Sequence, residues 1–358
     1  MCAADGYADL QKILGHPDST RLRRLLEYLM TEEQARLITL LPASPEELAI
    51  KMNIDIDTIT GLLHDLHGKG AIVHKNFDPR QSFIPISTYF YPDNWFITSY
   101  SRSSLPEFYG LYRDFFKERE GDEGHWKAAV QEHEKIKQPS FRVLPAYRSI
   151  LDSPELLPEE DVRTILRQAK TIIVIPCGCR MTRGPCHQSE PNVCMIFNRA
   201  AEEFISMDRN DLLKALSYEE SLVIIDAAEE AGLVHRWQNT AIMVGGMLCN
   251  CCNCCCGQAR LVNYGVPVSK IYAKSRYEAR IDANNCNGCQ ICVDICPDRF
   301  AGAIGMTGKP GTPDFKAVVD PEKCYGCGLC VLKCTTEAIR MELVRPADHI
   351  PGIGPPHK

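Results

Sequence analysis

The sequence has 358 residues, 45% of them hydrophobic, and a formal charge of −6 that places its isoelectric point near 6.0. That length accommodates two or three domains, each with its own core, while the acidic balance excludes the strongly basic field with which proteins gather nucleic acid or anionic lipid. Its 19 cysteines are not spread like a disulfide framework: Cys2 stands alone and all the others lie between Cys177 and Cys334, which points to local metal sites in a reducing compartment.

The N-terminal stretch "MCAADGYADLQKIL" has no basic segment followed by an apolar core, so a cytoplasmic protein is expected. The longest apolar runs, at 171–176 and 241–248, fall short of the roughly 20 residues of a spanning helix, and no membrane span is expected.

Within 1–95, "LLPASPEELAIKMNIDIDTITGLLHDLHGKGAIVHK" reads as helix, turn, helix and strand. Ser44, Pro45 and Glu47 mark a helix start. Leu48, Ala49 and Met52 supply its apolar face, and Ile59, Leu62, Leu63 and Leu66 continue that core on a second helix ended by Gly68 and Gly70. "AIVHK" and "SFIPIS" complete a two-stranded wing. The arrangement resembles winged-helix domains, which commonly bind DNA. A helix that reads bases should present Arg, Lys, Asn or Gln, whereas this one offers Asp55, Asp57 and Asp65. Residues 1–80 hold 9 Lys or Arg against 12 Asp or Glu, so protein docking or dimerisation is expected over nucleic-acid binding. Residues 96–150 read as a helical connector in which Phe108, Leu111, Tyr112, Phe115 and Phe116 form a stripe packed on its own domain.

Residues 151–270 form an α/β cysteine-rich domain. The β-branched run "TIIVIP" predicts a buried strand that delivers Cys177 and Cys179 on the loop at its end, with Cys186 and Cys194 further on. Arg180 and Arg183 are counter-charges to a thiolate cluster, binders of an anionic substrate or surface groups, and His187 is a ligand, a proton donor or a bystander. Ser217 and Glu220 open a helix that Gly232 ends. The chain then reaches "MLCNCCNCCCGQ", with Cys249, Cys251, Cys252, Cys254, Cys255 and Cys256 in quick succession. In extended chain Cys251 and Cys252 face opposite ways, as do Cys254 and Cys255, so the run divides between sites. The ten thiols of this domain permit two four-cysteine clusters, one cluster of unusual nuclearity, or one cluster beside a thiol pair. At least one further iron-sulfur cluster drawing on both cysteine groups is favoured, because zinc has no redox chemistry to pass on; a zinc staple and a dithiol within Cys254 to Cys256 are the alternatives.

Between 271 and 345 the sequence reads "CNGCQICVDICP" and "CYGCGLCVLKC", two copies of CxxCxxCxxxC displaced by 38 positions. Three thiols at that spacing wrap one iron-sulfur cubane, and the fourth is carried away to a neighbouring cluster. A pair of zinc knots is the alternative. The segment resembles the bacterial-type ferredoxin domain with two 4Fe-4S clusters. That resemblance implies one ligand set of Cys286, Cys289, Cys292 and Cys334, and another of Cys324, Cys327, Cys330 and Cys296. Pro297 follows the pattern, whereas Thr335 stands where it has a second proline. Gly288 and Gly328 are expected to permit tight turns. Residues 346–358 form a tail.

The expected architecture is therefore multidomain α+β: a winged-helix-like N-terminal domain, the α/β middle domain and a ferredoxin-like dicluster domain. The motifs "CGCR" and "CNCCxCCC" ahead of a dicluster segment look like a group of iron-sulfur proteins from anaerobic microbes. The expected function is single-electron transfer through two 4Fe-4S clusters and one or two further cysteine-ligated sites, exchanging electrons with a redox partner protein; a homo-oligomer is compatible with it. A redox-sensing DNA-binding regulator and a reductase with catalysis at the middle metal site are the alternatives. No GxGxxG or GxxxxGKS loop is present for a nucleotide, and no catalytic residue is singled out.

Overall fold

The computed structural model describes residues 5–85, 105–121, 123–139, 141–183, 186, 188, 192–207, 213–239, 246–296 and 302–353. In chain order its helices and strands are α1 Gly6–Ile13, α2 Thr20–Leu29, α3 Glu32–Thr39, α4 Pro45–Met52, α5 Ile56–Gly68, β1 Ile72–His74, β2 Phe83–Pro85, α6 Leu105–Glu120, α7 Glu123–Glu134, β3 Phe141–Leu144, α8 Val162–Gln168 and β4 Ile172–Pro176. Beyond them come α9 Gly178–Arg183, β5 Asn192–Phe197, α10 Asn198–Met207, α11 Tyr218–Glu230, β6 Val234–Gln238, β7 Met247–Cys251, α12 Val268–Ile271, β8 Tyr272–Ala273, β9 Tyr277–Ile281, α13 Ile291–Ile295, β10 Ile304–Thr307, β11 Lys316–Val319, α14 Leu329–Leu332 and β12 Ile339–Leu343. The result is a mixed α+β chain with an N-terminal helical region, a central six-stranded sheet and a C-terminal region of two two-stranded sheets. Contacts divide it into two compact units, one of residues 1–125, 175–185 and 199–215, the other of 126–174, 186–198 and 216–358.

In the first unit, short helices are fixed by their caps. Thr31 with Gln34 and Ser44 with Glu47 form reciprocal capping boxes that satisfy otherwise orphaned N–H groups, and Pro45 sits in the first turn of α4 where its missing donor costs nothing. Asn53 closes α4 in the left-handed region (φ 54°), a conformation asparagine tolerates better than most residues. Helix α5 then buries Ile59, Leu63 and Leu66, and β1 pairs antiparallel with β2, Val73 opposite Ile84. The aromatic stripe of α6 packs inward as expected: Phe108, Tyr112, Phe115 and Phe116 are buried, but Tyr109 rather than Leu111 completes it.

In the second unit the sheet order is β4-β5-β7-β6-β3-β8. The pairs β5/β7, β7/β6 and β6/β3 are antiparallel, and β3/β8 is parallel. Strand alternation gives the sheet two unlike faces. One carries Leu144, Met195, Phe197, Trp237 and Leu248 into an apolar core shared with α8 and α11. On the same face His235 Nδ1 lies 2.7 Å from Asn250 Oδ1, and Asn250 donates to the Val193 carbonyl at 2.7 Å, so these polar groups are satisfied within the core. The other face carries the cysteines.

Strand β4 is buried as its β-branched sequence predicts. The segment after it departs from expectation: the chain turns directly into α9, so Cys179 lies in a helical turn and only Cys177 marks the strand's end. Arg180 is buried, which removes its surface reading. His187 and Pro297 lie outside the described residues, as do the side chain of Arg183 and the Ile86 and Ser87 end of the expected wing.

Candidate metal centres

The C-terminal segment folds as two similar halves. β9 pairs with β12 and β10 with β11, and each CxxCxxC loop leads into one short helix, α13 or α14. Each loop needs two residues in the left-handed region. In the second copy both are glycine, Gly326 (φ 72°) and Gly328 (φ 75°); in the first they are Gly288 (φ 73°) and Gln290 (φ 68°). Gly326 has a further reason to lack a side chain, because a Cβ there would collide with Ser275 Oγ and with the Tyr277 carbonyl oxygen.

These loops surround two cavities. One is lined by Cys296, Cys324, Cys327 and Cys330 together with Val143 and Val234 of the central sheet. The other is lined by Cys286, Cys289, Cys292 and Cys334. Each cavity thus gathers three cysteines of one motif and the fourth of the other. Backbone N–H groups already point at sulfur, Ala303 to Cys296 at 3.2 Å and Ala317 to Cys286 at 3.5 Å, a pattern that stabilises anionic sulfur. The two surroundings differ: Cys289 is exposed, whereas burial pushes the Cys327 thiol up to about 12. A buried thiolate needs positive charge beside it, and ligated iron supplies that charge. The donor sets fit cubanes.

Residues 273–341 match the family of 4Fe-4S dicluster domains, so this segment carries two 4Fe-4S clusters. No curated protein and no solved structure matches the chain.

The middle region brings its thiols together in a different way. Cys186, from the segment before β5, meets Cys252, Cys254 and Cys255, from the turn after β7, with all four sulfurs within 4.8 Å of one another. Cys186 Sγ lies 3.7 Å from Cys252 Sγ and 3.5 Å from Cys254 Sγ; Cys254 Sγ lies 3.6 Å from Cys252 Sγ and 3.5 Å from Cys255 Sγ. A single ion with metal–sulfur bonds of about 2.3 Å in tetrahedral geometry separates its sulfurs by roughly 3.8 Å. A cubane, whose cysteines attach to four different irons, holds them farther apart. The backbone N–H groups of Gln188 and Cys255 also point at sulfur, each at 3.4 Å.

A further set of thiols lines the cysteine face of the sheet. Cys194 pairs with Cys249 across β5 and β7, Cys251 lies two residues on, and Cys256 Sγ lies 3.6 Å from Cys251 Sγ. All four are at most 8% exposed. Arg236, opposite Cys249 on β6, donates to Cys249 Sγ at 3.1 Å, and the Tyr272 hydroxyl lies 3.4 Å from Cys256 Sγ. Hydrogen bonds with Cys194 and Cys251 hold the Cys249 thiol well below its ordinary range, assisted by Arg236 and opposed by burial. The bond to Cys251 likewise brings Cys256 down to about 6.

The run Cys249 to Cys256 therefore does divide, Cys251 to one group and Cys252 to the other. Alternation fails two residues later. Cys254 and Cys255 meet at one point because 253–255 form a turn rather than extended chain. Cys177 and Cys179 belong to the first unit.

Sequence reasoning missed one constellation altogether. In the first unit Glu203 of α10 accepts at Oε1 from the His74 backbone N–H at 2.8 Å, and that oxygen lies 3.0 Å from His67 Nε2 and 2.9 Å from His74 Nδ1. Burial opposes the Glu203 charge, but the His67 hydrogen bond, the His74 N–H and both imidazoles hold its carboxyl below the usual range. The three side chains could hold a metal ion or simply satisfy one another. No local spacing signals this group, since Glu203 lies more than 120 residues beyond both histidines.

Proposed function

We propose that the chain is an iron-sulfur electron-transfer protein or redox-enzyme subunit, in which the two 4Fe-4S clusters exchange single electrons with a redox partner protein and the middle region holds additional metal. The observation that carries this reading is the wall shared by the dicluster cavity and the central sheet: Val143 and Val234 stand beside Cys296, Cys324, Cys327 and Cys330. Electron donors and acceptors must lie close together, and this packing brings the middle domain against one cluster. The 4Fe-4S clusters supply one-electron chemistry when bound; the chain's own residues set their exposure and the hydrogen bonds to their sulfurs, which tune potential.

The Cys186, Cys252, Cys254 and Cys255 group is assigned one tetrahedral ion, zinc or iron. The N-terminal region, with its helix pair and hairpin of winged-helix type, serves docking. The exposed face of α5 presents Asp57, His64 and Asp65 rather than a basic surface, which disfavours the DNA-binding regulator.

Iron, sulfide and zinc analysis after anaerobic purification tests the reading. About eight irons and eight sulfides in two reducible cubanes are the minimum it requires. A chain with zinc but no sulfide, or cubanes that accept no electron from a low-potential donor, would sink it.

A further inference from the structure

We propose that Cys194, Cys249, Cys251 and Cys256 hold an iron-sulfur cluster of their own, on the sheet face that borders the dicluster cavity, with Arg236 as its counter-charge. This deepens the electron-transfer reading, and rests on it, by placing a third cluster beside the two of the dicluster domain.

Strand register places three of the thiols together, and Cys256 meets Cys251 at 3.6 Å. Residues directly opposite in neighbouring strands share a face, as do residues two apart along a strand. Cys194 is opposite Cys249, Cys249 opposite Arg236, Cys251 opposite Val234, and Arg236 opposite Val143. The thiols, Arg236, Val143 and Val234 therefore lie on one face, and the two valines also line the cavity of Cys296, Cys324, Cys327 and Cys330. The site is one residue pair from that cavity along the sheet.

Charge points the same way. Arg236 is 6% exposed, and no carboxylate forms an ion pair with it among the described residues; its close neighbours are Cys249 Sγ, the Tyr272 hydroxyl and the Phe141 ring. Its buried Nε has no hydrogen-bond partner among the described residues. A guanidinium buried away from carboxylates is costly unless anionic sulfur stands beside it, as Cys249 does here. Thiolates carrying a cluster keep that sulfur anionic, and cluster sulfide supplies an acceptor for the idle donor.

Spacing separates this set from the compact one. The Cys186 group closes within 4.8 Å, as one ion requires, whereas no three sulfurs of the sheet-face set meet that limit among the described residues. Cys194 faces Cys249 across β5 and β7, and Cys251 meets Cys256 at 3.6 Å, so the set forms two pairs, each suited to one iron of a cluster.

The test uses the whole chain reconstituted anaerobically with ferrous iron and sulfide. A double variant, Cys249→Ser with Cys251→Ser, should lose at least about two irons and two sulfides, whereas Cys252→Ser with Cys254→Ser should lose no sulfide. A chain with Cys289→Ser and Cys327→Ser, which disables both dicluster ligand sets, should retain at least about two sulfides. That last arm separates this proposal from the electron-transfer reading, which fails instead if the intact chain lacks reducible cubanes. Arg236→Gln should leave a cluster that is harder to reduce, with Arg236→Lys restoring part of the potential, and this readout stands even if the first double variant folds poorly. Full sulfide retention by the Cys249→Ser, Cys251→Ser chain, or a Cys251–Cys256 disulfide in the loaded intact protein, would overturn the proposal.

Discussion

The dicluster segment and the middle cysteine region use the same donor atom but specify their sites by different means. In the first, each cysteine set is mostly written in one loop: three cysteines within seven residues, two left-handed turns and a short helix, with only the fourth cysteine borrowed from the partner loop. In the second, the run from 249 to 256 lends three thiols to each group, and the fourth of each arrives from the chain at or before β5. Cys194 reaches Cys249 because β5 pairs with β7, and Cys186 reaches Cys252 because the chain before β5 runs beside the turn after β7. A site written locally survives on loop geometry; a site written by sheet register depends on the whole sheet.

The largest expected effect tests the local half of that contrast. Gly326→Ala drives a Cβ into the Tyr277 carbonyl, a backbone group with no room to yield, at a φ of 72°. The dicluster domain should lose at least the cluster of Cys324, Cys327 and Cys330, seen as a fall of about four irons and the loss of one of two cubane signals by electron paramagnetic resonance. Retention of both signals would show that the loop tolerates strain the geometry forbids.

Cys252→Ser comes next. It removes one corner of the compact four-thiol group and should release its single ion, lowering stability by several kcal/mol, since metal binding free energy is folding free energy at a site the unfolded chain lacks. Thermal unfolding together with metal analysis checks it. Loss of about four irons instead of one metal ion would replace the tetrahedral site with a cubane.

These two cases show what the sequence could reveal. The paired CxxCxxCxxxC motif carried its own geometry, so two cavities with four cysteines each were legible before any fold was known. Strand β4 and the capping boxes at Ser44 and Ser217 were legible for the same reason, being local patterns. The alternation rule placed Cys251 and Cys252 in different groups, yet it failed at Cys254 and Cys255, where the backbone turns. Which of Cys177 to Cys194 completes each group depends on strand pairing, and pairing is a property of the folded sheet. The Glu203 cluster lay beyond local reading for the same reason.

Glu203→Gln extends the comparison to the first unit. The native carboxylate is held charged by His67 and the His74 N–H, so its contribution to stability is present above its ordinary value near 4.5 and is lost as pH falls through its lowered folded value. The variant should unfold about 1–3 kcal/mol more easily at neutral pH, the cost of weakening a buried charged hydrogen-bond group. It should also lose that part of the acid-side slope. A denaturant series from pH 3 to 7 checks both, and an unchanged slope would deny Glu203 the role.

The smallest effect is the most exacting comparison, because it sets one half of the dicluster domain against the other. Gln290 and Gly328 occupy equivalent positions in the two motifs, and both are left-handed, but only Gln290 carries a side chain there. A non-glycine residue in that conformation costs about 1–2 kcal/mol relative to a conformation it prefers, whereas glycine adopts it freely but loses more entropy on folding. The side chain of Gln290 is exposed, so its removal forfeits little packing. Gln290→Gly should therefore be neutral or stabilising by up to about 1 kcal/mol, with the iron count unchanged. Clear destabilisation would mean that Gln290 works through its side chain at the rim of the Cys286, Cys289, Cys292 and Cys334 cavity, and the two halves would then differ in chemistry as well as in exposure.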